Sequence, residues 1–163
     1  MIACLYAAPG WGTGSLLVED GRVVDHEEPT PAGRPAARVG SDPAAQALAA
    51  RLAAFYAGAD EDFADLDLEP AWDWHGIPED ERRLLRAVRA IPRGETASYA
   101  EVAQLAGRPR AWRAAGAACA HGPLSVLVPY HRVIRADGTI GGYGALGDER
   151  KRRLLALEGA RAR

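Results

Sequence analysis

Apolar residues come in short runs over the first thirty positions: Ile2-Ala3-Cys4-Leu5-Tyr6, then Ser15-Leu16-Leu17-Val18, then Val23-Val24. Runs of this length predict strands, and Glu19-Asp20-Gly21 between the last two predicts a three-residue turn. Pro29 to Gly40 holds three prolines and two glycines, the signature of a loop. Ser41 and Asp42 then cap a helix with Pro43 in its first turn. Leu48, Leu52, Phe55 and Tyr56 follow at helical spacing, and Gly58 closes it. Over Asp60–Trp74 the apolar Phe63, Leu66 and Leu68 sit among acids, which predicts a further strand or an extended connector. A domain boundary falls between Trp72 and Pro78, giving an N-terminal domain over 1–75 and a C-terminal domain over 78–163.

Beyond Pro78 the period becomes helical. Leu84, Leu85, Val88 and Ile91 make one apolar face on Glu79–Ile91, stopped by Pro92 and Gly94. Ser98 caps a short helix carrying Val102 and Leu105 and ended by Gly107. Pro109 opens another over Arg110–Ala120. Two short helices joined by a turn around a glycine are the helix-turn-helix outline. Leu124–Val128 predicts a strand, Val133-Ile134 and Thr139-Ile140 a hairpin around Asp137-Gly138, and Gly147–Glu158 a closing helix. The whole is an α+β chain, with a small antiparallel sheet and helix in the N-terminal domain and a winged helix-turn-helix-like C-terminal domain. There is no internal repeat.

Composition adds little until it is divided along the chain. The 163 residues are 48% hydrophobic and 26% charged, the usage of a folded protein. Two cysteines, Cys4 and Cys119, are too few for a disulfide scaffold. No stretch approaches the ~18 uninterrupted apolar residues of a membrane span, and Met1-Ile2-Ala3-Cys4 lacks the charged start of a signal peptide. A cytoplasmic protein with no membrane partner is expected. The net charge of −2 conceals an asymmetry: residues 1–79 hold 4 basic against 14 acidic side chains, and residues 80–163 hold 16 against 8. All basic residues but Lys151 are arginine. A half carrying +8 fits a polyanionic partner, although attraction between the two halves would also account for it.

The helix around Arg113 is built from Ala111, Ala114, Ala115, Gly116, Ala117 and Ala118. Such a thin rod, with Arg110 and Arg113 on one face, can enter a groove that a leucine-rich helix cannot, and arginine can insert beside base pairs. Close packing of small residues on the core, with the arginines exposed, accounts for the pattern equally well. The segment Pro129-Tyr130-His131-Arg132-Val133-Ile134 supplies context. Together with Ile91-Pro92-Arg93-Gly94-Glu95-Thr96-Ala97-Ser98-Tyr99 before it, and Gly141-Gly142-Tyr143 and Leu157-Glu158-Gly159 after it, this resembles the O6-alkylguanine-DNA alkyltransferase family. Four of the five residues of that family's Pro-Cys-His-Arg-Val signature stand here in order. The resemblance is dense over 80–163 and in outline only before that.

The resemblance implies roles. The small-residue helix, with Arg110, Ala114, Gly116 and Ala117, would lie in the minor groove of double-stranded DNA. Arg113 would fill the gap left by a flipped nucleotide, and Tyr99 would act on the adjacent phosphate. Val128, Pro129, Tyr130, Gly142 and Tyr143 would border the pocket for O6-alkylguanine. His131 and Glu158 match the relay that deprotonates the reactive cysteine, and Arg132 matches a structural charge. No cofactor is implied.

One position departs from the signature. Tyr130 stands where the family has its nucleophilic cysteine. A thiol of pKa ~8.5 readily yields a soft thiolate. A phenol of pKa ~10 is about 0.1% ionised at neutral pH and presents a hard oxygen. Alkyl transfer is therefore expected to be lost, and neither Cys4 nor Cys119 is placed to replace it. Gly122 stands at the family's pocket asparagine, and Asp80 at the aromatic that begins the first helix of its C-terminal domain. In lacking the cysteine the chain is similar to the alkyltransferase-like proteins, which mark lesions for nucleotide excision repair. The expectation is a monomeric, non-catalytic lesion-binding protein acting with such repair proteins. The alternatives are slow alkyl acceptance by Tyr130, or a helix-turn-helix regulator or partner-binding module without lesion preference.

Other candidates carry less. Cys4, His26 and His75 could echo a zinc site but show no ligand spacing, and no metal is expected. His121 suits a cation at a helix end. Asp60, Glu61, Asp62, Asp65 and Asp67 read as a solvated acidic run, and Trp72 and Trp74 as packing at the domain junction.

Overall fold

The computed structural model describes residues 1–33 and 40–160. Much of the Pro29–Gly40 loop, with Arg34 and Arg38, and also Arg161 and Arg163 lie outside the described residues. The chain divides into two compact units: Met1–Gly76 with Pro123–Ser125, and Ile77–Gly122 with the chain from Val126 onward. No helix among the described residues is long and apolar enough to cross a membrane.

The first unit is an antiparallel meander of β1 (Ile2–Ala8), β2 (Gly12–Glu19) and β3 (Arg22–Thr30), in the order β1-β2-β3. Glu19 pairs with Arg22, so the turn is shorter than its composition suggests: only Asp20 and Gly21 lie outside the ladder. Both have φ in the left-handed region, 49° and 74°, the conformation of a two-residue hairpin turn whose twist matches its strands. Alternate residues Cys4, Tyr6 and Ala8 of β1 are buried, and α1 (Pro43–Tyr56) lies along that strand. Asp42 alone caps α1, its carboxylate accepting from Ala45 N at 2.9 Å. Leu48, Leu52, Phe55 and Tyr56 are buried.

The acidic stretch is not a strand; Asp60, Asp62, Asp65 and Asp67 are exposed, as expected of a solvated run, and Glu61 is partly buried. Phe63 is buried, with φ of 57°. Arg51 of α1 donates to both Glu61 oxygens (2.8 and 2.9 Å) and both Asp65 oxygens (2.6 and 3.0 Å). Ion pairing and the buried phenyl ring wrap the segment around the helix, where alternation would have kept it extended. It ends in a short helix, α2 (Glu69–Trp74), that buries Trp72 and leaves Trp74 exposed.

The second unit begins with α3 (Glu79–Arg89), which buries Leu84, Leu85 and Val88. Next comes α4 (Tyr99–Leu105), with a complete capping box: Glu101 N donates to Ser98 Oγ, and Ser98 N donates to Glu101 Oε2. The following helix, α5 (Trp112–His121), starts later than the sequence suggests, so Arg110 precedes it and does not share a helical face with Arg113. Arg108 N–Ala103 O and Ala111 N–Arg108 O bonds form the turn between them.

Leu124–Val128 is not a strand. Leu124 and Val126 have φ of 64° and 76°, which break the extended repeat. Tyr130–Arg132 is a 3-10 turn. The expected hairpin is replaced by a parallel pairing of β5 (Val133–Ile134) with β4 (Ala97–Ser98). Thr139 is drawn back by Asp137, which accepts from its N and Oγ1 (2.9 and 2.7 Å), and by the Arg135 N–Thr139 O bond. The last helix, α6 (Gly147–Leu157), buries Lys151, Leu154 and Leu155.

Candidate functional site

The segment Val128-Pro129-Tyr130-His131-Arg132 is buried along its whole length. Its turn is closed by bonds from Tyr130 N to Val128 O (2.8 Å) and from Arg132 N to Pro129 O (3.0 Å). Glu158, the residue capping the C-terminus of α6, receives both side chains that follow Tyr130. Oε1 accepts from His131 Nε2 at 2.9 Å and Arg132 Nη2 at 2.7 Å, and Oε2 accepts from Arg132 Nε at 3.0 Å. Arg132 Nη1 donates to Ile91 O at 2.8 Å, tying α3 to the same cluster.

The charge states follow from these contacts. Burial alone would raise the Glu158 carboxyl, but the His131 and Arg132 hydrogen bonds outweigh it and hold the group at about 2, so Glu158 is an anion. Burial lowers the His131 pKa against the pull of Glu158. A neutral His131 that donates from Nε2 carries its lone pair on Nδ1, the tautomer that can take a proton from a neighbour. The arrangement is therefore a base held in orientation by a carboxylate whose charge is balanced by a buried guanidinium.

Tyr130 is 2% exposed. Burial, aided by Cys119 and Glu81, pushes its phenol well above 10. Its ring end stands over Gly122, the residue after α5, where any side chain would collide with it. Burial likewise pushes the Cys119 thiol up to about 12, so the thiol of this unit is not an activated nucleophile. Tyr143 is buried and Gly142 exposed.

The helix α5 buries Ala115 and Ala118 and exposes Arg113, Ala114 and Ala117. Gly116 faces Tyr99, with a Cβ at 116 falling 4.0 Å from Tyr99 Cδ1. On the other side of Tyr99, its hydroxyl would be 3.1 Å from a Cβ on Gly141. Tyr99 thus joins the start of α4 to α5 and to the turn beyond Ile140, and Arg110 and Arg113 are exposed nearby in sequence. Asp80 pairs with Arg108 at 3.7 Å, so the acid at the start of α3 braces the turn between α4 and α5.

Lys151 was not singled out by sequence reasoning as a site residue. It is 1% exposed, and its Nζ donates to Val133 O (2.5 Å) and Gly142 O (3.2 Å). Burial lowers it to about 8. It holds the strand after the 3-10 turn against Gly142. Its signal was present as the single lysine among 20 basic residues.

The three residues considered for zinc have other partners. His26 accepts or donates at both ring nitrogens, to Tyr6 Oη (2.7 Å) and Ser125 O (2.8 Å). His75 pairs with Asp25 at 3.2 Å, and Cys4 Sγ donates to Leu5 O. Among the described residues no group of three or more His, Cys, Asp or Glu side chains could hold a metal.

Comparison with known proteins follows this geometry. The family model described as the 6-O-methylguanine DNA methyltransferase DNA-binding domain matches residues 79–160. A methylated-DNA–protein-cysteine methyltransferase of Mycolicibacterium paratuberculosis is 46% identical over 108 residues, which is 66% of this chain and 61% of that relative. The matched segment thus spans less than two thirds of that relative's length. The protein of the same name from Mycobacterium leprae is 40% identical over 151 residues, 90% of this chain and 82% of the relative. Among solved structures, Mycobacterium tuberculosis OGT in complex with DNA superimposes with a TM-score of 0.76 at 33% identity, over 97% of this chain and 93% of that one.

Proposed function

The chain belongs to the 6-O-methylguanine DNA methyltransferase family, and from that membership we propose that it binds O6-alkylguanine in duplex DNA without accepting the alkyl group. The observation that carries the reading is the fully buried Tyr130 at the head of an intact His131–Glu158–Arg132 cluster. The base is retained, but the residue before it in the chain is a phenol that burial pushes well above 10. A nucleophile that cannot ionise in its site, and whose oxygen is hard, does not displace guanine from an alkyl carbon.

The binding roles rest on the same membership. Arg113 inserts into the stack in place of the extruded nucleotide, Tyr99 acts on the adjoining phosphate, and Ala114, Gly116 and Ala117 let α5 approach the minor groove. Arg110 meets the backbone beside them. Unstacking costs a few kcal/mol, offset by arginine insertion and phosphate contacts. Val128, Pro129, Tyr130, Gly142 and Tyr143 border the lesion pocket, and the bound complex marks the lesion for nucleotide excision repair.

Two measurements test this. Intact-mass analysis after incubation with O6-methylguanine duplex should show no gain of about 14 Da, the mass of a transferred methyl group less the displaced proton. Competition between lesion and undamaged duplexes should favour the lesion. An adduct on Tyr130 would make the chain an enzyme, and equal binding would make it a regulator or partner-binding module.

A further inference from the structure

Trp112 is the first residue of α5, and it is 50% exposed. An indole with half its surface in water, on a helix whose other residues are small apart from Arg113 and His121, is not there for the core, which α5 meets through Ala115 and Ala118. The Arg113 guanidinium lies over its ring, 4.9 Å from the centroid. Trp112 and Gly116 are four residues apart on one face of α5, and Gly116 is where Tyr99 approaches. Exposed Arg110 lies two residues before it, and residues 80–163 carry 16 basic against 8 acidic side chains. An aromatic plane set among arginines matches a polyanion with flat or apolar edges, which describes the sugar and base edges of a nucleic-acid groove.

We propose that Trp112 is a DNA contact that works with Arg113. In the free protein the guanidinium rests on the exposed indole, a weak contact that binding exchanges for contacts with the duplex. On the duplex the guanidinium leaves the ring for the base stack, and the freed indole packs against the sugar edge of the minor groove. The inference rests on the proposed DNA-binding role of α5 and adds a residue to it.

The test uses full-length protein with Trp112→Ala and Trp112→Phe, titrated against a duplex with one O6-methylguanine and against its undamaged match. Trp112→Ala should weaken binding about tenfold, the scale of one aromatic contact with a nucleic acid, and Trp112→Phe should retain most of it. Tryptophan emission of the wild type should change on saturation with duplex, and that change should be absent in Trp112→Phe. Thermal melting within a few degrees of wild type shows that the fold is kept. Affinity of Trp112→Ala within twofold of wild type, with emission unmoved by duplex, overturns the proposal. A wild type that binds both duplexes equally removes the lesion reading only, since the loss in Trp112→Ala on either duplex still decides the role of Trp112. A wild type that binds neither overturns both.

Discussion

The end of the Tyr130 ring occupies the position that a side chain on Gly122 would need. A Cβ built on Gly122 would overlap Tyr130 Oη and Cζ and would stand 2.6 Å from Ala118 O. The backbone at Gly122 does not itself ask for glycine, since its φ of −64° and ψ of 144° suit any residue. The requirement comes from across the fold. A large ring at 130 and no side chain at 122 are one steric solution.

Gly122→Ala and Gly122→Asn should therefore destabilise the protein by about 1–3 kcal/mol through overpacking. In a Tyr130→Cys background the same substitutions should cost less, with a coupling of about 1 kcal/mol or more between the sites. The remaining approach to Ala118 O keeps the relief incomplete. Urea unfolding of the four proteins of each cycle checks this, and additive losses would show that the ring does not set the demand.

Tyr130→Cys should give at best weak alkyl acceptance. The thiol meets His131, whose orientation Glu158 fixes at 2.9 Å, and it ionises more readily than the phenol. Removing a fully buried ring leaves a cavity costing about 3 kcal/mol or more, and a misplacement of about 1 Å can slow a reaction ~100-fold. Combining Tyr130→Cys with Gly122→Asn should raise the rate by refilling the space. Intact mass over hours with O6-methylguanine duplex reads both variants, and fast transfer by Tyr130→Cys alone would mean that the pocket needs nothing at 122.

Binding to duplex should fall steeply with salt, because arginines that neutralise phosphates release counterions. Arg113→Ala should weaken lesion binding more than binding to undamaged duplex, since an inserted guanidinium replaces a stacking partner only where a base is extruded. Equal losses on the two duplexes, with a shallower salt slope, would make Arg113 an ordinary phosphate contact.

Local signals were legible where neighbours in sequence decide the outcome. The Ser98 cap, the Asp42 cap and the strand runs around Tyr6, Leu16 and Val23 are all read from adjacent residues, and the α+β class follows from them. What escaped was set by distant partners. Arg51 turned the acidic stretch into a clasp, and positive φ at Leu124 and Val126 broke a run that composition made a strand. The order Tyr130-His131-Arg132 was plain in the chain, and so was Gly122. That the two departures meet in space could not be read, because seven residues of irregular backbone separate them.

Stability should fall as pH drops from about 6.5 toward about 4. Burial lowers His26 to about 4, only partly opposed by its bond to Ser125 O and by Asp25. The unfolded chain therefore takes up this proton at a higher pH than the folded one, so the contribution is whole above the unfolded value and is lost through that window. A shift of this size corresponds to about 3 kcal/mol. His131 is lowered by burial too and adds in the same direction. Glu158, held at about 2, extends the loss only below the ordinary carboxylate range. His26→Gln removes the titrating ring, so its urea midpoint should lie below that of the wild type at pH 7 and decline less between pH 7 and 4.5. Parallel declines in the two proteins would place the acid sensitivity elsewhere, with His131 the next group to substitute.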